Sequence, residues 1–136
     1  MTIIDAPSPM IDHVSLGTAH YAQSVDFYRR VLAPLGLALQ RDTGAEAAFG
    51  TASQWSFFLY PVDAPEPVTA RGTHLAFAAP SRAAVAGAHE AALSASAADL
   101  FTPRERPDIS ASYFGAMFLD LDGHRIEVLT NQPPSD

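Results

Sequence analysis

The sequence predicts an α+β fold made of two tandem βαβββ units, each a strand, a helix and three further strands. Two observations support this prediction. First, strand-like and helix-like stretches recur in the same order on either side of a proline-rich segment at residues 61–71. Second, an offset of 61 residues superposes His13 on His74 and Leu32 on Leu93. A repeat of this kind indicates two equivalent units that pack together and leave a cleft between their sheets.

The first unit is expected at residues 10–61. Residues 10–16 alternate between two faces, with His13 on the face opposite Val14, and this alternation predicts a short strand. Apolar side chains then recur at helical spacing over residues 21–35, and Gly36 marks the end of this helix. Three β-like stretches follow, at residues 37–41, 45–50 and 55–60.

The second unit is expected at residues 72–131, after a linker at residues 61–71. Residues 73–79 predict its first strand, and Ser81 is a suitable N-cap for an alanine-rich helix over residues 82–97. The remaining β-like stretches lie at residues 100–103, 112–120 and 125–130. Together the two units predict a single domain over residues 10–136.

Composition excludes several classes of function. The 136 residues include eight arginines, no lysine and no cysteine, and the formal net charge is −7. The absence of cysteine and lysine excludes thiolate and Schiff-base chemistry. The acidic balance argues against a nucleic-acid partner. No apolar run approaches the roughly 20 residues of a membrane span, and the first residues lack the pattern of a signal peptide. We therefore expect a cytoplasmic protein with neither a nucleic acid nor a membrane as partner.

Three residues predict a metal site: His13, His74 and Glu127. Each is expected within a strand, on the face opposite its apolar neighbours. If these faces meet at one cleft, two imidazoles and one carboxylate could bind a divalent ion, which could be Fe, Mn, Ni, Zn or Co. Taken singly, a strand histidine is more often structural or solvated, and Glu127 could simply be exposed.

Four motifs extend this pattern along the chain: I-D-H-V-S-L at residues 11–16, S-x-x-F-Y-x-x-V-L at 24–32, G-T-H-L-A-F at 72–77 and F-L-D-x-D-G-H-x-I-E at 118–127. Together they resemble the vicinal oxygen chelate superfamily. This superfamily contains glyoxalase I, bleomycin-resistance proteins, fosfomycin-resistance enzymes and extradiol dioxygenases. The resemblance extends over residues 11–130.

The resemblance implies that the paired units form a U-shaped mixed sheet around a cleft that often holds a metal. It assigns His13, His74 and Glu127 to the positions of the family's metal ligands. Glyoxalase I takes a fourth ligand from the strand that corresponds to residues 55–60, which contains no carboxylate or imidazole. The set is thus more similar to that of the extradiol dioxygenases or the fosfomycin-modifying enzymes. Many members of the superfamily are dimers, so we also expect a homodimer.

Tyr113 and Glu127 are the expected catalytic residues, because a strand tyrosine near the metal could exchange a proton with a substrate oxygen. Tyr113 could instead pack at the cleft edge. Arg104 and Arg106 could reach an anionic substrate, although a solvated loop is the commoner setting for such residues. The expected function is that of a small divalent-metal-dependent enzyme of the glyoxalase/dioxygenase type. Such an enzyme chelates vicinal oxygens of a small substrate and stabilises an enolate or oxygen adduct, as a lyase, isomerase or ring-cleaving dioxygenase. The alternatives are a bleomycin-resistance-like binding protein without metal, and a degenerate member without activity.

Overall fold

Two four-stranded sheets and two α-helices form the part of the chain that the computed structural model describes, residues 11–63, 68–70 and 72–134. The first unit consists of β1 (Val14–Thr18), α1 (Tyr21–Leu32), β2 (Ala38–Asp42), β3 (Ala47–Gly50) and β4 (Trp55–Pro61), with a 3₁₀ turn at Ala33–Leu35 after α1. The second unit consists of β5 (His74–Ala78), α2 (Arg82–Ser94), β6 (Ala98–Glu105), β7 (Phe114–Leu119) and β8 (Arg125–Thr130).

The two sheets have the same topology. The first has the strand order β1-β4-β3-β2 and the second the order β5-β8-β7-β6. In each sheet the first strand of the unit lies parallel to the last, and the other neighbours are antiparallel. The matching order confirms the prediction of two tandem βαβββ units.

Local sequence accounts for both helices. In α1 the buried side chains follow helical spacing: Ser24, Val25, Phe27, Tyr28, Val31 and Leu32. After the 3₁₀ turn, Gly36 adopts φ +81°, a left-handed conformation that glycine tolerates best. In α2 the Ser81 side chain accepts a hydrogen bond from the Ala84 amide at 3.1 Å, which confirms Ser81 as the N-cap.

The hydrophobic core lies between the two sheets, where α1 packs against α2. Phe57 of β4 contacts Phe77 of β5 with ring centroids 5.3 Å apart, and Phe27 of α1 lies 6.2 Å from Phe118 of β7. Each sheet therefore buries one face, its inner face, against a shared core.

The turn between β7 and β8 binds the second unit to the start of α1 in the first. Buried Asp120 accepts a hydrogen bond from the Tyr28 hydroxyl. Asp122 accepts one from the Ala19 amide at 2.8 Å, and the His124 side chain lies 2.9 Å from the carbonyl oxygen of Gly17. This turn explains how two repeats in one chain hold a fixed relative orientation.

Element boundaries differ from the predictions at several points. β1 begins at Val14 rather than at residue 10, because its parallel pairing with β4 starts at Val14 opposite Phe57. Of the expected first strand, residue 10 lies outside the described residues, as do residues 64–67 and 71 of the expected linker. α2 ends at Ser94 rather than at residue 97, and Ser96 takes φ +80°. In the described ranges, no helix is long and apolar enough to cross a membrane.

Candidate functional site

The outer face of the second sheet carries two of the three expected metal ligands. In β8, Ile126 and Val128 are fully buried against the core, so strand alternation turns Glu127 to the outer face. His74 is the first residue of β5, next to β8, and it lies on the same face. The Nε2 atom of His74 is 3.2 Å from the Oε1 atom of Glu127, which makes the two side chains immediate neighbours.

Glu127 and His74 differ in their access to solvent. The Glu127 side chain is 10% exposed, whereas that of His74 is 50% exposed. A buried carboxylate is costly unless it is hydrogen-bonded or paired with a cation. The Glu127 carboxylate is therefore held within the sheet, and the side of it that contacts His74 is the side accessible to solvent.

Tyr113 holds the second oxygen of Glu127. Its hydroxyl donates to the Oε2 atom of Glu127 at 2.6 Å, and its side chain is almost fully buried. Glu127 thus has one oxygen bound by Tyr113 and the other turned toward His74. A carboxylate held in this way has one oxygen left for a ligand, with its orientation fixed by the neighbouring hydroxyl.

The surroundings of Tyr113 keep its proton in place. Burial raises the pKa of the Tyr113 phenol well above its usual value, and the hydrogen bond to Glu127 and the negative charge of Glu127 act in the same direction. The positive charge of Arg106 opposes them without outweighing them. At neutral pH Tyr113 is therefore a hydrogen-bond donor.

His13 lies on the outer face of the first sheet. Its ring meets the Phe58 ring edge-on at 5.1 Å, and its Nδ1 atom is 3.0 Å from an Asp12 carboxylate oxygen. The prediction of a strand position is confirmed for His74, although at the end of its strand, and was wrong for His13. His13 immediately precedes β1, because pairing with β4 begins one residue later, and His74 opens β5. Only Glu127 lies inside its strand.

A single chain does not bring the three expected ligands together. Among the residues that the structure describes, no group of three histidine, cysteine, aspartate or glutamate side chains could hold a metal ion. His74 and Glu127 are adjacent in the second unit, while His13 belongs to the first unit, immediately before β1. The site in one chain thus consists of two of the three groups plus Tyr113.

The atoms that do meet fit a divalent ion. Two ligand atoms bound about 2.1 Å from one ion, at roughly right or tetrahedral angles, lie about 3.0–3.4 Å apart. The separation of 3.2 Å between the His74 nitrogen and the Glu127 oxygen falls within that range. Imidazole nitrogen and carboxylate oxygen are also donors that Fe, Mn, Ni, Zn and Co accept.

A groove runs beside this site, between the edge strands β1 and β5. Its volume is about 530 Å³. It is lined by residues 14–17 of the first unit, by residues 68–70 of the segment between the units, and by residues 72–75 and 123–126 of the second unit. His74 borders the groove, whereas His13, Glu127 and Tyr113 are not among its lining residues.

Sequence reasoning missed the importance of Gly115. A Cβ atom built on Gly115 would overlap the hydroxyl of Tyr113, so the ring can take this position only because residue 115 has no side chain. A glycine inside a strand often marks such a close approach. That rule, applied to Gly115 two residues after Tyr113, could have identified the contact.

Comparisons with known proteins agree with this architecture. A crystal structure of a glyoxalase/bleomycin resistance protein from Albidiferax ferrireducens T118 has TM-score 0.79 and 23% identity, covering 90% of this chain and 99% of that chain. A fosfomycin resistance protein from Listeria monocytogenes has TM-score 0.62 and 19% identity, covering 94% of each chain. A glyoxalase-related enzyme from Fulvimarina pelagi has TM-score 0.67 and 20% identity, covering 89% of this chain and 87% of that chain. At these identities the likeness establishes the fold. No curated protein matches.

The family assignment depends on a separate comparison. The model of the Glyoxalase/Bleomycin resistance protein/Dioxygenase superfamily matches residues 10–128, which is most of the chain. The matched segment includes His13, His74, Tyr113 and Glu127. The chain therefore belongs to the Glyoxalase/Bleomycin resistance protein/Dioxygenase superfamily.

Proposed function

We propose that this protein is a small enzyme that uses one divalent metal ion to bind adjacent oxygens of a small substrate. The ligands are His74 and Glu127 of one chain and His13 of a second copy. The observation that carries the proposal is the pair of donor atoms on His74 and Glu127, 3.2 Å apart on an open sheet face. The Tyr113 hydroxyl supports it by fixing the far oxygen of Glu127 at 2.6 Å.

The proposal of a second copy follows from what one chain supplies. His74 and Glu127 meet at 3.2 Å, and the described residues of one chain form no group of three possible ligands, so we assign the third ligand, His13, to a second copy. A twofold axis would place the first sheet of one chain opposite the second sheet of the other, and would generate two equivalent sites. The U-shaped cleft that the family resemblance implies would then contain one sheet from each chain.

The outer faces carry apolar side chains suited to such contact. On the first sheet Phe58 and Tyr60 stack with centroids 6.4 Å apart, and Tyr60 is 37% exposed. On the second sheet Met117 lies opposite Glu127 in the register and is half-buried. Water-exposed aromatic and thioether surface is typical of faces that bind a ligand or a partner.

The chemistry divides between the ion and the protein. A divalent ion bound at this site would supply a Lewis acid that polarises substrate oxygens. Glu127 contributes a charged ligand whose orientation Tyr113 fixes. Tyr113 has one hydroxyl proton, which it donates to Glu127, and it can donate that proton to a substrate oxygen beside Glu127 only by releasing this bond as charge develops there. This arrangement is compatible with both the lyase or isomerase class and the dioxygenase class.

The test is elemental analysis of untagged protein prepared anaerobically without chelators and then loaded with Co²⁺ or Fe²⁺. We expect about one equivalent of metal per chain, with metal lost in a His13→Ala/His74→Ala double variant and in Glu127→Ala. His20→Ala is the matched control, because His20 is exposed at the start of α1 and should leave metal content unchanged. A wild-type protein that takes up no metal would overturn the proposal in favour of ligand binding without metal.

A further inference from the structure

The described arginines fall into two groups. Five lie within 4.0 Å of a carboxylate: Arg29 and Arg30 with Asp26, Arg41 with Glu46, Arg82 with Glu105, and Arg106 with Asp108. Arg104 and Arg125 form no ion pair with any residue in the described ranges. As far as the described residues go, both guanidinium groups are therefore available for an outside anion.

Both of these arginines lie on the outer face of the second sheet. Arg125 of β8 is paired in register with His74, and Arg104 of β6 is paired with Gly115 of β7. Glu127 lies between them on the same face, and His74 lies on the edge strand β5, beside Arg125. Arg104 and Arg125 therefore give this face a positive charge on either side of Glu127.

Arg104 is also held in place. Its guanidinium carbon lies 4.9 Å from the centre of the Phe101 ring, and that of Arg106 lies 5.4 Å from the same ring. The Nε atom of Arg104 donates to the Thr102 carbonyl at 3.3 Å, and neither terminal amino group has a hydrogen-bond partner among the residues that the structure describes. Stacking on an aromatic ring restricts an arginine without neutralising it, and a restricted guanidinium binds an oxyanion at lower entropic cost.

The strand register gives the distance between Phe101, on which Arg104 stacks, and the candidate metal ligand Glu127. Phe101 of β6 is paired with Met117 of β7, and Met117 is paired with Glu127 of β8. Neighbouring strands are about 4.8 Å apart, so Phe101 and Glu127 lie roughly 10 Å apart across the sheet. A small molecule that spans this distance would cross the Met117 side chain, which favours an apolar middle section.

We infer that the substrate carries a carboxylate or another oxyanion group at the end opposite its metal-binding oxygens, and that Arg104 binds this group. Arg106 is the weaker candidate, because Asp108 already engages its guanidinium at 2.7 and 3.0 Å. The inference deepens the proposed function and rests on it, since the other end of the substrate is placed at His74 and Glu127. Two parallel hydrogen bonds from the Arg104 guanidinium to one oxyanion group would make the enzyme selective for anionic substrates.

The test uses two probes with the same chelating head, 3-(3,4-dihydroxyphenyl)propanoate and 4-propylcatechol. Binding of each to Co²⁺-loaded protein is measured anaerobically by calorimetry. We expect the carboxylate probe to bind about 10-fold more tightly or better, which is the scale of one charge-assisted contact. Arg104→Gln should remove this advantage and leave 4-propylcatechol binding unchanged, and Arg104→Lys should restore only part of it. Arg30→Gln on α1 is the control, and thermal unfolding checks that each variant folds.

The outcomes separate this inference from the proposed function. Equal affinity of the two probes, or a carboxylate preference that Arg104→Gln retains, would overturn the inference while metal-dependent binding of both probes still supports the metal site. A preference lost in Arg125→Gln instead would also overturn it. If the protein takes up no metal, the proposed function fails. The same titrations of metal-free protein then decide whether an Arg104-dependent carboxylate preference exists.

Discussion

Gly115 provides the space in which the hydroxyl of Tyr113 reaches Glu127. A Cβ atom on Gly115 would overlap both the Tyr113 hydroxyl oxygen and the ring carbon that bears it. The bond from Tyr113 to Glu127, at 2.6 Å, therefore depends on the absence of a side chain two residues further along the chain. The geometry of the candidate site is thus determined in part by a residue with no functional group.

Replacing Gly115 with alanine should displace Tyr113 and break its bond to Glu127. Overpacking of a buried contact typically costs about 1–3 kcal/mol, so we expect Gly115→Ala to lower the free energy of unfolding by that amount. Urea unfolding measures the change. The control is the same substitution in a Tyr113→Ala background, where the ring is gone and alanine should be tolerated. An equal cost in both backgrounds would show that the strain at Gly115 has another origin.

The four tyrosines of the chain should lose their protons at a higher pH in the folded protein than free tyrosine does. Burial, more than any other factor, raises the pKa of Tyr21 to about 12 and raises that of Tyr28 and Tyr113, and the hydrogen bond to Glu46 raises that of Tyr60. Free tyrosine is half ionised near pH 10. Absorbance at 295 nm should therefore show little tyrosinate in the folded protein at pH ~10, and about half in protein unfolded by urea.

The same shifts predict how stability depends on pH. The folded state holds these protons more tightly than the unfolded state, so the stability they contribute is fully present below the unfolded pKa near 10. It is lost as the pH rises from there through the folded pKa values. Urea unfolding measured between pH 8 and pH 11.5 should give a free energy of unfolding that is constant up to pH ~10 and declines above it. A decline that begins below pH 9 would contradict the shifts, and Tyr28→Phe should make the alkaline decline shallower.

Sequence patterns predicted the parts of the site that depend on single strands. The alternation of Ile126, Glu127 and Val128 was enough to place Glu127 on the face away from the core, because strand periodicity acts locally. The repeat likewise predicted equivalent positions for His13 and His74 in their units, and the structure places one immediately before β1 and the other at the first residue of β5. Such inferences hold because each depends on a few neighbouring residues.

The relation between the two sheets could not be predicted in the same way. Whether His13 faces His74 within one chain depends on how α1 and α2 pack and on which sheet faces the shared core covers. The docking of Asp120 and Asp122 against the first unit contributes to that packing, and it joins residues about a hundred positions apart. The contact between Tyr113 and Glu127 was missed because it depends on side-chain direction and on the gap at Gly115.

Asp122 should be important for joining the two units. It accepts hydrogen bonds from the Ala19 amide at 2.8 Å and from the Ser24 hydroxyl at 3.3 Å, just before and within the first turn of α1. Its replacement by alanine leaves that amide without a partner and removes a negative charge from a helix N-terminus. We expect Asp122→Ala to lower the free energy of unfolding by about 1–2 kcal/mol. The control is Asp26→Ala, which removes only exposed ion pairs on α1 and should change stability little. Equal effects of the two variants would contradict a role for Asp122 in docking.

Mixed dimers provide the sharpest test of a site shared between two chains. Neither His13→Ala nor Glu127→Ala protein should bind metal alone, because every site in each homodimer lacks one ligand. In a mixed dimer one site carries both substitutions, and the other is intact. Co-refolding equal amounts should give about half mixed dimers, and hence roughly a quarter of an equivalent of metal per chain. Sedimentation should show dimers at micromolar concentration.

The control for this experiment mixes His74→Ala with Glu127→Ala protein. Both substitutions lie on the second sheet, and His74 and Glu127 of one chain meet at 3.2 Å, so they belong to the same half of a shared site. Every site in the mixture then lacks a ligand, and no metal should be recovered. If neither mixture recovers metal while the wild type binds it, the three ligands come from one chain, and the two-chain site is wrong. If both mixtures recover it, His74 and Glu127 contribute to different sites despite their contact.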